Sequence, residues 1–212
     1  MERLKIEPRA NWREAVESRG LKWHTGATPY WSEDAYYRFA TEEIDRIERA
    51  TNDLHASCLE AVQHVIDEHR YAELKIPEHA IPLIEKSWKE EPPSIYGRFD
   101  LAYDGQSPPI MLEYNADTPT SLLEASVIQW DWMEAVHQGA DQFNAIHERL
   151  IDVWREMIPH LRRGNPLGPL VHFSSMDDIE DGITTAYLAE TAVQAGVRAQ
   201  LLPVSEIGWD PD

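Results

Sequence analysis

The sequence predicts a mixed α+β and α/β fold, in which a helical N-terminal region with an antiparallel sheet leads into the start of an open α/β layer. Three observations point there. Apolar residues recur at helical spacing from Thr41 to about His69. Two short segments, IYGRFDLAY and PIMLEYN, alternate with period two around a turn-rich linker. A strand, a helix and a second strand then follow one another near the C-terminal end.

Taken in order, residues 1–40 are rich in aromatics, among them Trp12, Trp23, Tyr30, Trp31, Tyr36, Tyr37 and Phe39. They read as a packing or lid segment around a short helix beginning near Ser32, with Ser32 as cap and Glu33 and Asp34 in the first turn. Core packing is the plainer reading of such a cluster, and a sugar or ring platform the sharper one.

Ile44, Ile47, Leu54, Cys58, Leu59, Val62, Val65 and Ile66 form the apolar stripe of the long helix, and Glu42, Glu43 and Asp45 complement its N-terminal dipole. His55, His64 and His69 are spaced by nine and five, so no ligand pair at i and i+4 arises. Cys58, the one cysteine of the chain, excludes an internal disulfide and reads as a small buried residue. A shorter helix follows Pro77 and ends near Trp88, and EEPPS breaks the chain.

IYGRFDLAY puts Tyr96, Arg98, Asp100 and Ala102 on one strand face, and PIMLEYN puts Met111, Glu113 and Asn115 on another. DGQSPP between them is turn chemistry, so an antiparallel hairpin is the economical arrangement. Thr118–Pro119 then reads as N-cap and N1 of a helix whose buried stripe is Leu122, Leu123, Val127, Ile128 and Trp130, with Gly139 as its stop. A further helix is expected from Asp141 to His160 with Phe143, Ile146, Leu150, Val153, Trp154 and Met157 inward, and His137 and His147 at the surface. RRGNPLGP is the expected linker between a region 1–162 and a β-α-β region 163–212. In the latter, PLVHF is a strand, Ser175 and Asp178 box a helix to about Ala195, Gly196 stops it, and VRAQLLP is the second strand.

Composition restricts the function. The 212 residues are 42% apolar, which suits a globular core, and 19 basic against 38 acidic residues give a net charge of −19. That charge disfavours nucleic acid and anionic membranes, while Mg²⁺ or a cationic substrate is favoured. No apolar run is long enough to span a bilayer, and the N-terminus lacks the apolar core of a secretion signal. A cytoplasmic protein is expected.

If the hairpin faces coincide, Arg98, Asp100, Glu113 and Asn115 share one small surface. Carboxylates and an amide oxygen are hard ligands for Mg²⁺, and such sites leave positions for water and phosphate oxygens. A guanidinium forks onto phosphate. The same pattern also fits a solvated sheet face on which Arg98 neutralises Asp100 or Glu113. Thr118, Thr120 and Ser121, at the expected helix start, suit a substrate carboxylate or phosphate, or simply cap the helix.

The blocks YGRFDLAYDG and PPIMLEYNADTPTSLLEASVIQWDW, with PYWSEDAYYRF, IERATNDLHASCLEAVQHVI and VHFSSMDDIEDGITTAYLAETAVQAG, resemble the synthetase domain of the glutathionylspermidine synthase family over effectively the whole chain. The resemblance implies an ATP-grasp type sheet followed by a pre-ATP-grasp-like layer. It implies ATP and Mg²⁺ as cofactors, with Asp100, Glu113 and Asn115 as metal ligands and Arg98 on the transferring phosphoryl group. Thr118, Thr120 and Ser121 would meet a glutathione-like acid that is joined to a spermidine-like amine. The family's later region, which starts with a segment like FKLYPWEW and supplies nucleotide-binding lysines, has no counterpart here, nor does the amidase domain of bifunctional members. The expectation is an N-terminal portion that requires a C-terminal half and is inactive alone. A ligase for another acid and amine, or a non-catalytic binding module, is the alternative.

Overall fold

The computed structural model describes residues 1–116, 119–161 and 168–208. They form β1 (Glu2–Lys5), α1 (Trp12–Ser18), β2 (Ala35–Arg38), α2 (Thr41–Asp67), α3 (Ile81–Glu90), β3 (Arg98–Ala102), β4 (Ile110–Asn115), α4 (Gln129–Val136), α5 (Ile146–Leu161), β5 (Leu170–Ser175), α6 (Ile179–Gln194) and β6 (Arg198–Pro203). The fold is mixed α/β, and among the described residues its sheets are two-stranded: β1 with β2, β3 with β4, β5 with β6. The chain divides into a first unit, Met1–Glu2 and Arg38–Asn115, and a second, Arg3–Tyr37 and Ala116–Asp212. Expectations at Thr118 and at residues 162–167 of the linker lie outside the described residues.

In the first unit α2 is the long helix that the periodicity predicts. The Glu43 carboxylate accepts the Ala40 backbone N–H at 2.8 Å and pairs with the Met1 ammonium, two contacts that hold its carboxyl below the usual carboxylate range. No α2 residue is fully buried; Cys58 is half-buried, and Leu59 and Val62 face solvent. The α2 side chains that hold the hairpin are polar. Arg46 donates to the Tyr103 hydroxyl at 3.2 Å and to the Gln106 carbonyl at 2.9 Å, and His55 Nδ1 lies 3.1 Å from the Tyr114 hydroxyl. The hairpin turn closes where Asp104 Oδ1 accepts the N–H groups of Gln106 and Ser107 at 2.8 and 2.7 Å, around Gly105 at φ +84°.

The second unit contains most of the core. Val16, Leu21, Leu122, Leu123, Ile128, Met133, Leu150, Trp154, Phe173, Ala192 and Val197 are buried. β5 and β6 pair in parallel from Leu170↔Arg198 to Ser175↔Pro203, with α6 as the crossover, so the β-α-β expectation holds. Trp154, 1% exposed, packs edge-on against Phe173, and its Nε1 donates at 3.0 Å to Oγ1 of Thr191, which has no exposed surface. The Thr191 hydroxyl donates in turn to the Leu188 carbonyl at 2.7 Å.

Several local expectations are corrected. No helix starts at Ser32: its hydroxyl accepts the Asp34 N–H at 3.4 Å in a turn, and the aromatic run that follows is β2, paired with β1. Glu33 is not a first-turn residue; it is buried and accepts from Arg9 Nε at 2.9 Å. The helix after Pro119 contains a π-helical turn, Glu124–Ile128, ahead of α4. That turn shifts the helical phase, so Glu124 and Ser126 are buried while Trp130 is 38% exposed. α5 starts at Ile146, because Asn144 Oδ1 accepts the Ile146 N–H at 3.2 Å, and Phe143 is left 71% exposed outside the helix. Asp178 itself caps α6, accepting the N–H groups of Glu180 and Asp181 at 2.8 and 3.2 Å in place of a Ser175 cap. His137 and His147 are half-buried rather than surface residues.

Two substitutions test this packing. Thr191→Val keeps the shape but removes the partner of the Trp154 N–H, so urea unfolding should show a loss of about 1–3 kcal/mol, with Thr191→Ser retaining most of the stability. A Cβ at Gly97 would come within 2.9 Å of Tyr114 Cε2 and 3.2 Å of the Asn115 carbonyl oxygen. Gly97→Ala should therefore disturb the tyrosine near-UV circular dichroism of the hairpin while the far-UV helix signal persists.

Candidate functional site

The strand register brings four of the singled-out residues together. β3 and β4 are antiparallel with Arg98↔Asn115, Phe99↔Tyr114 and Asp100↔Glu113 opposite one another. Side chains alternate along each strand, so Arg98, Asp100, Glu113 and Asn115 share one face. On the opposite face Phe99 and Tyr114 stack with ring centroids 3.9 Å apart and planes 15° apart. This stack fixes the register from behind.

The polar face is a connected network. Arg98 Nε donates to Asp100 Oδ1 at 2.9 Å and an Arg98 terminal nitrogen to Oδ2 at 3.5 Å. With the Asn115 amide in its satisfied orientation, its nitrogen donates to Glu113 Oε1 at 3.1 Å and its oxygen accepts from Arg98 at 3.3 Å. Each side chain thus contacts the next across or along the strands. Arg98 and Asp100 are 37% and 38% exposed at their side chains, so the pair remains open to solvent and to a ligand. Tyr96 precedes them on the same alternation; burial pushes its phenol up to about 12, with the Arg98 charge pulling it back.

The pairing also corrects the reading of Met111. The register slips between Asp100 and Leu101, so that Leu101 faces Met111 and Ala102 faces Ile110, with Leu112 as the extra residue. Simple alternation would place Met111 beside Glu113. The bulge instead ends the polar face at Glu113.

Electrostatics gives this face a preference. Asp100 and Glu113 are like charges directly opposite across the strands, an arrangement that destabilises a sheet unless a cation offsets it. Arg98 offsets one charge and leaves one. Among the described residues no three His, Cys, Asp or Glu side chains gather as a metal cage. Two carboxylates and an amide oxygen, completed by water and phosphate oxygens, are instead the donor set that suits Mg²⁺. The residues therefore fit that ion.

The remaining candidates belong to the second unit. Thr118 lies outside the described residues, Pro119 is buried and Thr120 half-buried. Ser121 adopts φ +64°, a conformation that a serine holds only when its surroundings enforce it, and its hydroxyl lies 3.2 Å from that of Tyr30. Tyr30 also donates at 2.8 Å to Glu124, which is 5% exposed in the π-helical turn. Sequence reasoning missed both partners, because 91 and 94 residues separate Tyr30 from them. Gly97, immediately before β3, is a further residue that sequence reasoning missed, although a glycine in an alternating segment is a signal of close backbone approach.

Comparison with known proteins agrees with these motifs. The family model described as glutathionylspermidine synthase pre-ATP-grasp matches residues 3–212. A Haemophilus influenzae protein, provisionally named an acid–amine ligase, is 42% identical over 187 residues, covering 86% of this chain and 46% of its own length. Trypanothione synthetase of Crithidia fasciculata is 33% identical over 70% of the chain and 22% of its own length. The bifunctional glutathionylspermidine synthetase/amidase of Escherichia coli is 30% identical over 82% of the chain and 28% of its own length. The chain thus spans about half the length of the first of these relatives and about a quarter of the others. It belongs to the glutathionylspermidine synthase family, in the region described as pre-ATP-grasp.

Proposed function

We propose that this chain carries the metal-and-phosphate half of an ATP-dependent carboxylate–amine ligase with an ATP-grasp type of fold, acting on a peptide-like acid and an amine. The observation that carries the reading is the register that sets Arg98, Asp100, Glu113 and Asn115 on one face. Asp100, Glu113 and the Asn115 amide oxygen would hold Mg²⁺, which when bound offsets phosphate charge.

In the reaction a carboxylate oxygen of the acid attacks the γ-phosphorus of ATP, the bond to ADP breaks, and an acyl phosphate forms. The lone pair of a deprotonated amine then attacks the acyl carbon, phosphate leaves, and the nitrogen gives up a proton to yield the amide. Arg98 serves the first step by directing N–H donors at the oxygens of the moving phosphoryl group, where negative charge accumulates. Standing on β3 with the Phe99–Tyr114 stack behind it, the guanidinium is held in place before substrate arrives. Thr118, Thr120 and Ser121 would receive the acid, through hydroxyls and backbone N–H groups at a helix start.

The glutathione–spermidine pair is one reading of the substrates. The 42% identity to the protein provisionally named an acid–amine ligase, above the 30% to the glutathionylspermidine synthetase/amidase, supports a ligase for a different acid–amine pair. A binding module without catalysis is the outcome the kinetic test below would reveal. Apolar residues of β4, with Ile110 65% and Leu112 68% exposed, support a reading in which further chain completes this sheet and the ATP cradle.

Three outcomes are expected. The homogeneous 212-residue chain should release no ADP from ATP with glutathione and spermidine, and rapid substrate-dependent release would reverse the half-site reading. In a protein that includes the downstream region, Arg98→Ala should lower kcat about 10²–10³-fold with a smaller change in KM for ATP. Paramagnetic broadening by Mn²⁺ checks the metal ligands separately. It should reach the hairpin resonances of the wild-type chain and be lost in Asp100→Asn/Glu113→Gln.

A further inference from the structure

Tyr30 is an exposed residue whose hydroxyl is nevertheless committed twice. It donates to Glu124 Oε1 at 2.8 Å and lies 3.2 Å from the Ser121 hydroxyl. A carboxylate only accepts, so the phenol gives its one proton to Glu124. The Ser121 hydroxyl is then the donor in the second contact. Burial holds the phenol above its usual range; the Ser121 contact acts against that shift and Glu124 adds to it, as a donor and an acceptor do.

Tyr30 reaches this place from a closed loop. Thr25 and Pro29 bridge as an antiparallel pair, and the His24 carbonyl accepts the N–H groups of Tyr30 and Trp31 at 3.2 and 3.1 Å. The His24 ring is buried, with Nε2 2.8 Å from Glu17 Oε1 and Nδ1 2.7 Å from Thr25 Oγ1. The other end is anchored as well, because Glu124 is buried in the π-helical turn. A hydrogen bond to a carboxylate is the stronger of the two that Tyr30 makes, so Glu124 sets the phenol and the phenol sets Ser121.

Ser121 is the residue on which this arm acts. Its φ of +64° lies in the left-handed region, which a serine holds only with support. With its hydroxyl proton directed at Tyr30, its side chain has no donor for an anion. Its backbone N–H is the donor that can serve.

We propose that Tyr30 is a positioning residue for the acid subsite, holding Ser121 left-handed so that the backbone N–H there, and not the hydroxyl, meets the carboxylate of the acid. The identity of that subsite rests on the proposed ligase reading; its geometry rests on the Tyr30 contacts.

Tyr30→Phe removes the hydroxyl and keeps the ring. In the 212-residue chain, the HN–Hα coupling and the Cα chemical shift of Ser121 should report a positive φ in the wild type and a negative φ in Tyr30→Phe. In a protein that includes the downstream region, ADP release is followed with ATP, spermidine and whichever of glutathione, diglycine and triglycine reacts fastest. Tyr30→Phe should raise KM for that acid about tenfold, with kcat and KM for ATP within about threefold of the wild type, a split that general loss of folding does not produce. In a Ser121→Gly background, where the left-handed backbone is unstrained, the same substitution should change KM for the acid less than about twofold. An unchanged Ser121 φ, an equal rise in KM for ATP, or a full Tyr30→Phe effect in the Ser121→Gly background overturns the proposal and leaves the ligase reading standing. Absence of ADP release by the wild type with all of these acids overturns both.

Discussion

The cross-strand placement of Asp100 against Glu113 is the constraint on which the candidate site depends. Two carboxylates face each other on a short ladder, and the ladder persists because three other contacts support it. The Arg98 fork takes up one charge, the Asn115 amide donates to the other carboxylate, and the Phe99–Tyr114 stack holds the register from the apolar side. A slip of β4 by one residue would send Glu113 and Asn115 to the face where the rings stack and part them from Arg98 and Asp100. The bulge at Leu112 lies immediately beyond Glu113, so the polar face ends at that residue.

Burial is divided unequally between the two units. In the second, Trp154, Ile128, Leu21 and Val16 are nearly inaccessible, and the Trp154–Thr191 bond leaves no polar atom of that pair unsatisfied. In the first, Tyr71 is the one hydrophobic residue classed as fully buried among the described residues, and the long helix α2 meets the hairpin through Arg46 and His55. Polar contacts of this kind contribute modestly in net terms, because water competes for each group. Their value here is directional: they aim the hairpin more than they stabilise it.

The same distinction explains what the sequence made legible. α2, the hairpin and the β-α-β unit each follow from a periodicity carried within a single segment, and all three were readable. Failures came where a distant residue decides the outcome. Ser32 looks like a cap, yet the aromatic residues after it pair with β1 near the start of the chain, and Glu33 is claimed by Arg9. Trp130 has the spacing of a core residue, but the π-helical turn before it rotates the stripe. The Asp100–Glu113 register was inferable from alternation, whereas the bulge at Leu112 has no signature in PIMLEYN.

The π-helical turn also links Ser121 to the rest of the second unit. It begins three residues after Ser121, whose left-handed backbone is costly for a serine, and it carries the buried Glu124. Tyr30 reaches both, so one phenol ties the entry of the helix to its first irregular turn. The exposure of Trp130 is a second consequence of the same irregular turn.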